Sequence, residues 1–265
     1  MSLSQNEFLF LGTGGSSGIP MIGCPCRVCA SLDPCDKRLR PSGLIVSNGK
    51  KLLIDAGPDF RLQALRYQID QLDGILITHS HFDHIAGLDE LRAYYLLHRT
   101  PLSVLLSKPT YLEIRRRYDY FFQERSQDAS LPAQLDFHVI EEERGVVSFL
   151  GLEIGFTRYE QSGMQVTGFR FGSFAYISDI RQYPETIFED LAGVDTLVLS
   201  MLRRQSSFMH LNLEEAIAFA RKVGASRTYF THMSHEIEHA AGSALLPEGI
   251  HLAYDGLKLE WNHGF

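Results

Sequence analysis

The sequence predicts an α/β protein of layered β-sheets flanked by helices, folded as a single domain over residues 1–265. Three observations carry that expectation. Short β-rich runs alternate with helical patterns along the chain. Strands precede helices in two similar halves, with meandering antiparallel runs in place of a clean βαβ repeat, which disfavours a doubly wound single sheet. With 265 residues, 45% of them hydrophobic and 22% charged, the chain can bury a sizeable core without metals or disulfides to hold it.

Taken in order, "EFLFLGTG" (7–14), "SGLIVS" (42–47) and "KKLLIDAG" (50–57) read as strands separated by glycine turns. A helix follows over 59–68, then the strand "DGILITH" (73–79). "HIAGLDELRAYYLLHR" (84–99) has helical apolar spacing, "LSVLLS" (102–107) is a strand, and 109–124 reads as a helix. Residues 125–134 are polar and weakly patterned, as in a surface loop or insertion. Beyond them "LDFHVI", "VVSFLGLEIGFTRY", "VTGFRFGSFAYISD" and "DTLVLSML" read as strand segments. "NLEEAIAFARKVG" (212–224) is a helix ending at a glycine. "RTYFTH" is a further strand, and "HLAYDGLKLEW" is expected to close the chain as a hairpin.

A net charge of −7 and a pI near 5.9 give no general affinity for nucleic acid or an anionic membrane. Arg115, Arg116 and Arg117 fall inside an apolar-periodic stretch and read as a solvated helix face in preference to a phosphate-binding patch. The start has neither the basic flank nor the apolar core of a signal peptide, and no run of about 18 apolar residues marks a membrane span, so a cytoplasmic location is expected. Four cysteines crowd between positions 24 and 35, which suits metal binding better than a disulfide framework.

The stretch "THSHFDH" (78–84) carries three histidines and an aspartate at the end of an apolar run. His79 closes the strand, and Asp83 and His84 open the next helix. His79 and His81, two residues apart, can point the same way, while Asp83 and His84 approach from the turn. Imidazole and carboxylate together suit zinc, iron or manganese. Without a cation, each of these groups would demand its own partner on burial. A second cluster, "GCPCRVC", sets Cys24, Cys26 and Cys29 at spacings able to bind zinc, and a closed structural site needs a fourth ligand.

H-x-H-x-D-H after an apolar strand resembles the signature of the metallo-β-lactamase superfamily, and the similarity runs over essentially the whole chain. "LGTGGSSGIPMIGC", "LIDAGPDF", "HLNLEEA" and "LAYDGL" make it similar to the PhnP-like cyclic phosphodiesterase branch. The resemblance implies an αββα sandwich, two packed mixed β-sheets flanked by helices, with two divalent metals (zinc or manganese) at one edge of the sheets. It assigns His79, His81 and a bridging Asp179 to the first metal, and Asp83, His84, Asp179 and His232 to the second, with Asp55 behind the histidines. Relatives carry a histidine seven residues before a G-F-R motif as a further ligand of the first metal; here that position is Gln161. An uncharged amide is a poor ligand. Glu160, beside it, would need a one-residue slip that turns it to the other face. The first metal site is therefore expected to be weakened, with Gln161 a weak or absent ligand, and the second to be complete.

The same resemblance implies His235 as the fourth ligand of a structural zinc in the Cys-rich loop 23–36, with Cys35 and His239 as competitors. His210, just before a helix with Asn212 near its N-cap, is the expected catalytic histidine alongside Asp83, held against the scissile phosphate where the helix N-terminus also attracts an anion. Ser17 and Ser207 stand where relatives often carry histidine; with Arg203 and Arg204 they are candidates to contact substrate. The implied function is hydrolysis of a small cyclic or nucleotide-like phosphate ester by metal-activated hydroxide. No stable nucleic-acid partner and no membrane are expected, and homodimerisation is left open. Two other readings stand beside it: a non-catalytic metal- or ligand-binding member, motivated by Gln161, Ser207 and Ser17, and a lactonase or thioesterase on the same fold.

Overall fold

Alternation along the first strand shows how the layers arise. In β1 (Asn6–Gly12), Phe8 and Phe10 point into one hydrophobic cluster while Leu9 and Leu11 point into another. A strand that buries both faces must lie between two layers. A computed structural model describes residues 6–123 and 131–261, and among them fourteen strands form two seven-stranded sheets.

The strands that follow are β2 (Ser42–Ser47), β3 (Lys50–Ile54), β4 (Gly74–Ile77), β5 (Leu102–Ser107), β6 (Leu135–Ile140), β7 (Arg144–Phe149) and β8 (Leu152–Gln161). After them come β9 (Met164–Phe171), β10 (Phe174–Ile177), β11 (Thr196–Ser200), β12 (Arg227–Thr231), β13 (Ile250–Leu252) and β14 (Lys258–Trp261). The helices are α1 (Arg27–Ala30), α2 (Phe60–Arg66), α3 (Phe82–Ile85), α4 (Arg92–His98), α5 (Lys108–Arg117), α6 (Ile187–Asp190), α7 (Leu213–Val223) and α8 (His239–Ser243). The first sheet runs β14-β1-β2-β3-β4-β5-β6 and the second β13-β12-β11-β10-β9-β8-β7. In each, one portion is antiparallel and another parallel: β3 to β6 in the first, β10 to β13 in the second.

One core lies between the sheets, where Phe8 meets Phe174 at a ring-centroid distance of 5.1 Å and Phe174 stacks on Trp261 at 4.5 Å. A second cluster covers the outer face of the first sheet through Phe60, Leu88, Leu91 and Ile114, and a third covers the second sheet through Ile187, Ala216 and Phe219. The layers are therefore α/β/β/α, the sandwich that the resemblance implies. Helix α7 begins as its sequence suggests: the Asn212 side chain accepts the Glu215 N–H, the Glu215 side chain returns to the Asn212 N–H, and Gly224 ends the helix at φ 77°.

Three expectations need correcting. The helix over 84–99 is broken into α3, a 3₁₀ turn at Leu88–Leu91 and α4. The cause is Gly87, whose N–H donates to Ala56 O and whose missing side chain lets it approach Gly57 O, where a Cβ would stand 2.2 Å away. The helix over 109–124 stops at Arg117 and gives way to a 3₁₀ turn at Asp119–Phe121. The closing hairpin does not form. β13 pairs with β12 in the second sheet, whereas β14 pairs with β1 in the first. Asp255, between them, accepts the Thr13 N–H (2.9 Å), the Thr13 hydroxyl (2.8 Å) and the Leu39 N–H (2.8 Å), and the Gly256 N–H donates to Phe10 O. These bonds draw the chain across from one sheet to the other. Of the expected loop at 125–134, residues 125–130 lie outside the described residues, and 131–134 form an irregular lead into β6. No helix among the described residues is long and apolar enough to cross a membrane.

Candidate metal centre

Three polar residues close parallel strands at one edge of the sandwich: Asp55 after β3, Asp179 after β10 and His232 after β12. All three adopt left-handed backbone conformations, at φ 59°, 56° and 60°. Such conformations cost non-glycine residues roughly 1–3 kcal/mol each and persist where the surroundings enforce them, often at functional sites. His79, His81, Asp83 and His84 arrive from the loop after β4 and from α3. The Thr167 N–H, from β9, donates to Thr78 O, fixing that loop to the second sheet.

Hydrogen bonds behind the histidines set their tautomers. Asp55 Oδ1 accepts the Thr78 N–H (2.8 Å), and its Oδ2 accepts the Thr78 hydroxyl (2.8 Å) and lies 2.7 Å from His84 Nδ1. Having given its proton to Asp55, Thr78 Oγ1 accepts from His79 Nδ1 at 3.0 Å. Both imidazoles therefore carry the proton on Nδ1 and turn the Nε2 lone pair away from the Asp55 side, as metal-binding histidines do.

On the other side of the rings, His84 Nε2 and His232 Nε2 are buried without a hydrogen-bond partner. His84 Nε2 lies 3.5 Å from Asp83 Oδ2 and 3.3 Å from Asp179 Oδ2. His232 Nε2 lies 3.4 Å from Asp83 Oδ2 and 3.2 Å from Asp179 Oδ1. Ligands about 2.1 Å from a tetrahedral ion stand about 3.4 Å from one another, so these separations are those of a coordination shell. Two overlapping triads result, His79/His84/Asp179 and Asp83/His84/His232, each with ligand atoms within 4.8 Å of one another. The residues fit two divalent ions.

The charges agree with that reading. Burial opposes ionisation of Asp83 and Asp179, but the histidines around them hold both carboxyls well below their usual range. Burial would lower His84 too, yet Asp179, Asp83 and Asp55 hold it well above the ordinary histidine value. Negative charge concentrated in a dry pocket calls for a cation. His210 lies beside the centre, its Nδ1 3.7 Å from Asp179 Oδ1 and its ring 4.7 Å from that of His232. Burial and then the neighbouring His232 lower it to about 4.

The second cluster is equally convergent. His235 Nδ1 lies 3.2, 3.4 and 3.7 Å from the sulfurs of Cys24, Cys26 and Cys29. A tetrahedral zinc with three thiolates and an imidazole places sulfur and nitrogen about 3.6 Å apart, so this Cys₃His set fits a structural zinc. The Cys29 N–H, bonded to Cys26 Sγ at the start of α1, lowers Cys26 to about 6, while burial raises Cys29 to about 11. Cys35 and His239 stand outside the set. The loop after β12 thus carries His232 into one centre and His235 into the other.

Residues 50–233 match the beta-lactamase superfamily domain. A crystal structure of a diphosphatase from the PhnP family superposes with a TM-score of 0.89 at 36% identity, over 97% of each chain. The chain belongs to the PhnP family of metallo-β-lactamase-fold hydrolases. An octanoyltransferase of Porphyromonas gingivalis is 34% identical over 260 residues, covering 94% of this chain and 50% of that protein, so the chain spans half the length of that relative. Zinc-bound PqqB of Methylobacterium extorquens, 19% identical over 96% of this chain and 99% of that one with a TM-score of 0.75, shares the fold.

As a PhnP-family protein it carries residues that fit a dinuclear metal centre and a separate Cys₃His site. Within that frame several residues stand apart from the triads. His81 Nδ1 lies 3.0 Å from His79 Nε2, and His81 is absent from the convergent sets. Gln161 turns its amide nitrogen to Asp179 Oδ1 (3.0 Å). Glu160 faces away and accepts from Gln165. Ser17 is exposed on its loop, Ser207 is buried with its hydroxyl accepting the Met209 N–H, and Arg203 lies 3.6 Å from Glu236 while Arg204 is exposed. Arg117 is not simply a solvated helix residue: it donates to Ser80 O, between His79 and His81. Thr78 and Arg117 are the site residues that sequence reasoning passed over. Thr78 had a signal, since it precedes His79 in the motif itself; Arg117 had none, because its reach to Ser80 depends on the packing of α5.

Proposed function

We propose that the protein hydrolyses a small cyclic or nucleotide-like phosphodiester. The observation that carries this reading is the pair of triads overlapping at His84, with buried His210 beside Asp179. Divalent metals, when bound, lower the pKa of water and offset the charge of the phosphoryl oxygens. Asp83, His84, Asp179 and His232 would hold the second ion; His79 with Asp179, and His81 once its ring turns to join them, would hold the first. Asp55 and Thr78 keep His79 and His84 in the tautomer that ligation requires. Exclusion of water from this edge, where His79, His84, Asp179 and His232 are nearly inaccessible, strengthens every charge interaction with the substrate. His210 stands where it can meet a phosphoryl or leaving oxygen. With three cysteines close enough to share a zinc, we place the protein in a reducing compartment such as the cytoplasm.

A second reading is acyl-ester or thioester hydrolysis on the same centre, favoured by the similarity to the protein named octanoyltransferase. Purified protein loaded with zinc or manganese, analysed for metal per chain and assayed on bis-p-nitrophenyl phosphate, a cyclic nucleotide, a lactone and an octanoyl thioester, separates the two. Turnover of the phosphodiesters in preference to the carbonyl substrates is the expected result. Preference for the carbonyl substrates, or metal binding without any turnover, overturns it.

A further inference from the structure

The segment that carries most of the metal ligands has little to hold itself. Helix α3, which bears Asp83 and His84, has four residues, and its N-cap, His81, makes no side-chain capping bond. A single turn is far below the length at which a helix is stable alone in water. Tertiary contacts must therefore fix the backbone from which these ligands project.

The contacts come from two sides. On one lies the loop after β3, where the Ala56 N–H donates to His84 O at 2.8 Å. Gly57 passes so close to Asp83 O that a Cβ there would stand 2.0 Å from it. On the other side lies the end of α5. Arg117 Nη1 donates to Ser80 O at 2.5 Å, and the next residue, Tyr118, donates its hydroxyl to Ile85 O at 3.0 Å. Ser80 and Ile85 are buried, and between them stand His81, Asp83 and His84. Two consecutive residues at one helix end thus grip both ends of the ligand-bearing segment. Each is itself steadied: Arg117 Nη2 lies 3.1 Å from Glu113 Oε2, one turn back on α5, and the Tyr118 ring stacks on Phe121 at 5.2 Å. Arg116, 71% exposed, pairs with the same Glu113 at 2.8 Å and offers a comparison.

We propose that Arg117 and Tyr118 are positioning residues, a two-point clamp from the end of α5 that holds the backbone of the metal-binding segment while the His81 ring turns to its ion. The clamp rests on the reading of this edge as a metal centre, and not on which ester is hydrolysed there. Its effect is preorganisation: the ligands are presented without the segment having to be ordered when the ions arrive.

The test is chelator competition for zinc at the active centre of the full chain, alongside denaturant unfolding of protein freed of active-site metal. Arg117→Met keeps the aliphatic stem and loses the donor, and Tyr118→Phe loses one oxygen. Each should bind active-site zinc about 10-fold more weakly, the lower end of the range for groups behind metal ligands. Arg117→Lys, which keeps a donor, should recover part of its loss. Arg116→Met, which removes a charge from the same helix, should bind as the wild type does. Zinc retained in the Cys₃His site reports folding of each variant. Wild-type affinity in either Arg117→Met or Tyr118→Phe, with only the metal-free stability lowered, reduces that contact to ordinary packing and overturns the two-point clamp. No recovery in Arg117→Lys, or an equal loss in Arg116→Met, overturns it as well. A wild type that takes up no zinc beyond the Cys₃His site overturns the metal reading and the clamp with it. Weakened zinc in the two variants of a protein that hydrolyses no phosphodiester supports the clamp and sinks only the substrate reading.

Discussion

Replacing Thr78 by valine tests the chain of hydrogen bonds that sets the metal-binding tautomers. Thr78 is fully buried, and valine fills nearly the same volume, so the change removes chemistry with little change of shape. Two bonds disappear: the one from Oγ1 to Asp55 Oδ2 at 2.8 Å and the one from His79 Nδ1 to Oγ1 at 3.0 Å. Asp55 keeps the Thr78 N–H and its 2.7 Å contact with His84, but the His79 Nδ1–H is left without that acceptor in a dry interior. An unsatisfied buried donor costs about 1–3 kcal/mol. Independently, loss of a partner behind a metal-binding histidine weakens affinity about 10–100-fold, or about 1.4–2.7 kcal/mol. The two estimates coincide, and they predict a 10–100-fold weaker active-site metal in Thr78→Val, measured by competition with a chromophoric chelator. Zinc in the Cys₃His site serves as the internal control. Thr78→Ser, which keeps the hydroxyl, should stay close to wild type. Wild-type affinity in the valine variant, or equal losses in both, would refute the argument.

Three further outcomes follow from the geometry. Gln161→His supplies the imidazole that the resemblance expects and should tighten the first metal site in the same titration, whereas an unchanged affinity would show that the position is not aimed at the ion. His210→Ala should lower kcat on a phosphodiester with an alkoxide leaving group by about 10²–10⁴-fold while metal per chain stays constant; loss of metal instead would make His210 a ligand. Asp255, which burial pushes up to about 6 despite the donors around it, binds its proton more tightly folded than unfolded. Its contribution is therefore fully present below about pH 4 and is lost as pH rises through 6, so the stability of wild type relative to Asp255→Asn should fall by about 3 kcal/mol between pH 4 and 7. A pH-independent difference in denaturant titrations would contradict this.

The metal centre was legible in the sequence because its residues sit where strands end: His79, Asp179 and His232 each follow an apolar run whose period and length mark a buried strand. His235 was legible only through the resemblance, which sets that ligand three residues beyond His232. The closing strands were not. "HLAYDGL" followed by "KLEW" has the pattern of a hairpin, and only tertiary hydrogen bonds to Thr13, Leu39 and Phe10 send its halves to different sheets. The break at Gly87 inside the run 84–99 was not legible either, since the close approach of Gly57 O there is not a local property. Gln161 was visible as a departure from the expected ligand, but its partners, Asp179 and His210, lie 18 and 49 residues away. Spacing reveals groups that belong to one element; it is silent on which loop will hand a hydrogen bond to which.

The crossing at Asp255 also orders events in time. β14 joins the first sheet beside β1, the earliest strand described, so that sheet stays one strand short until residue 261 has left the ribosome. Until β14 is made, β1 lacks that partner, and an unpaired row of backbone groups is the kind of edge that invites pairing with another chain. The same segment brings Asp255 to the loops at Thr13 and Leu39, so the sheet edge and these loop contacts are completed together. Loss of β14 would leave an adhesive edge on an otherwise assembled sandwich.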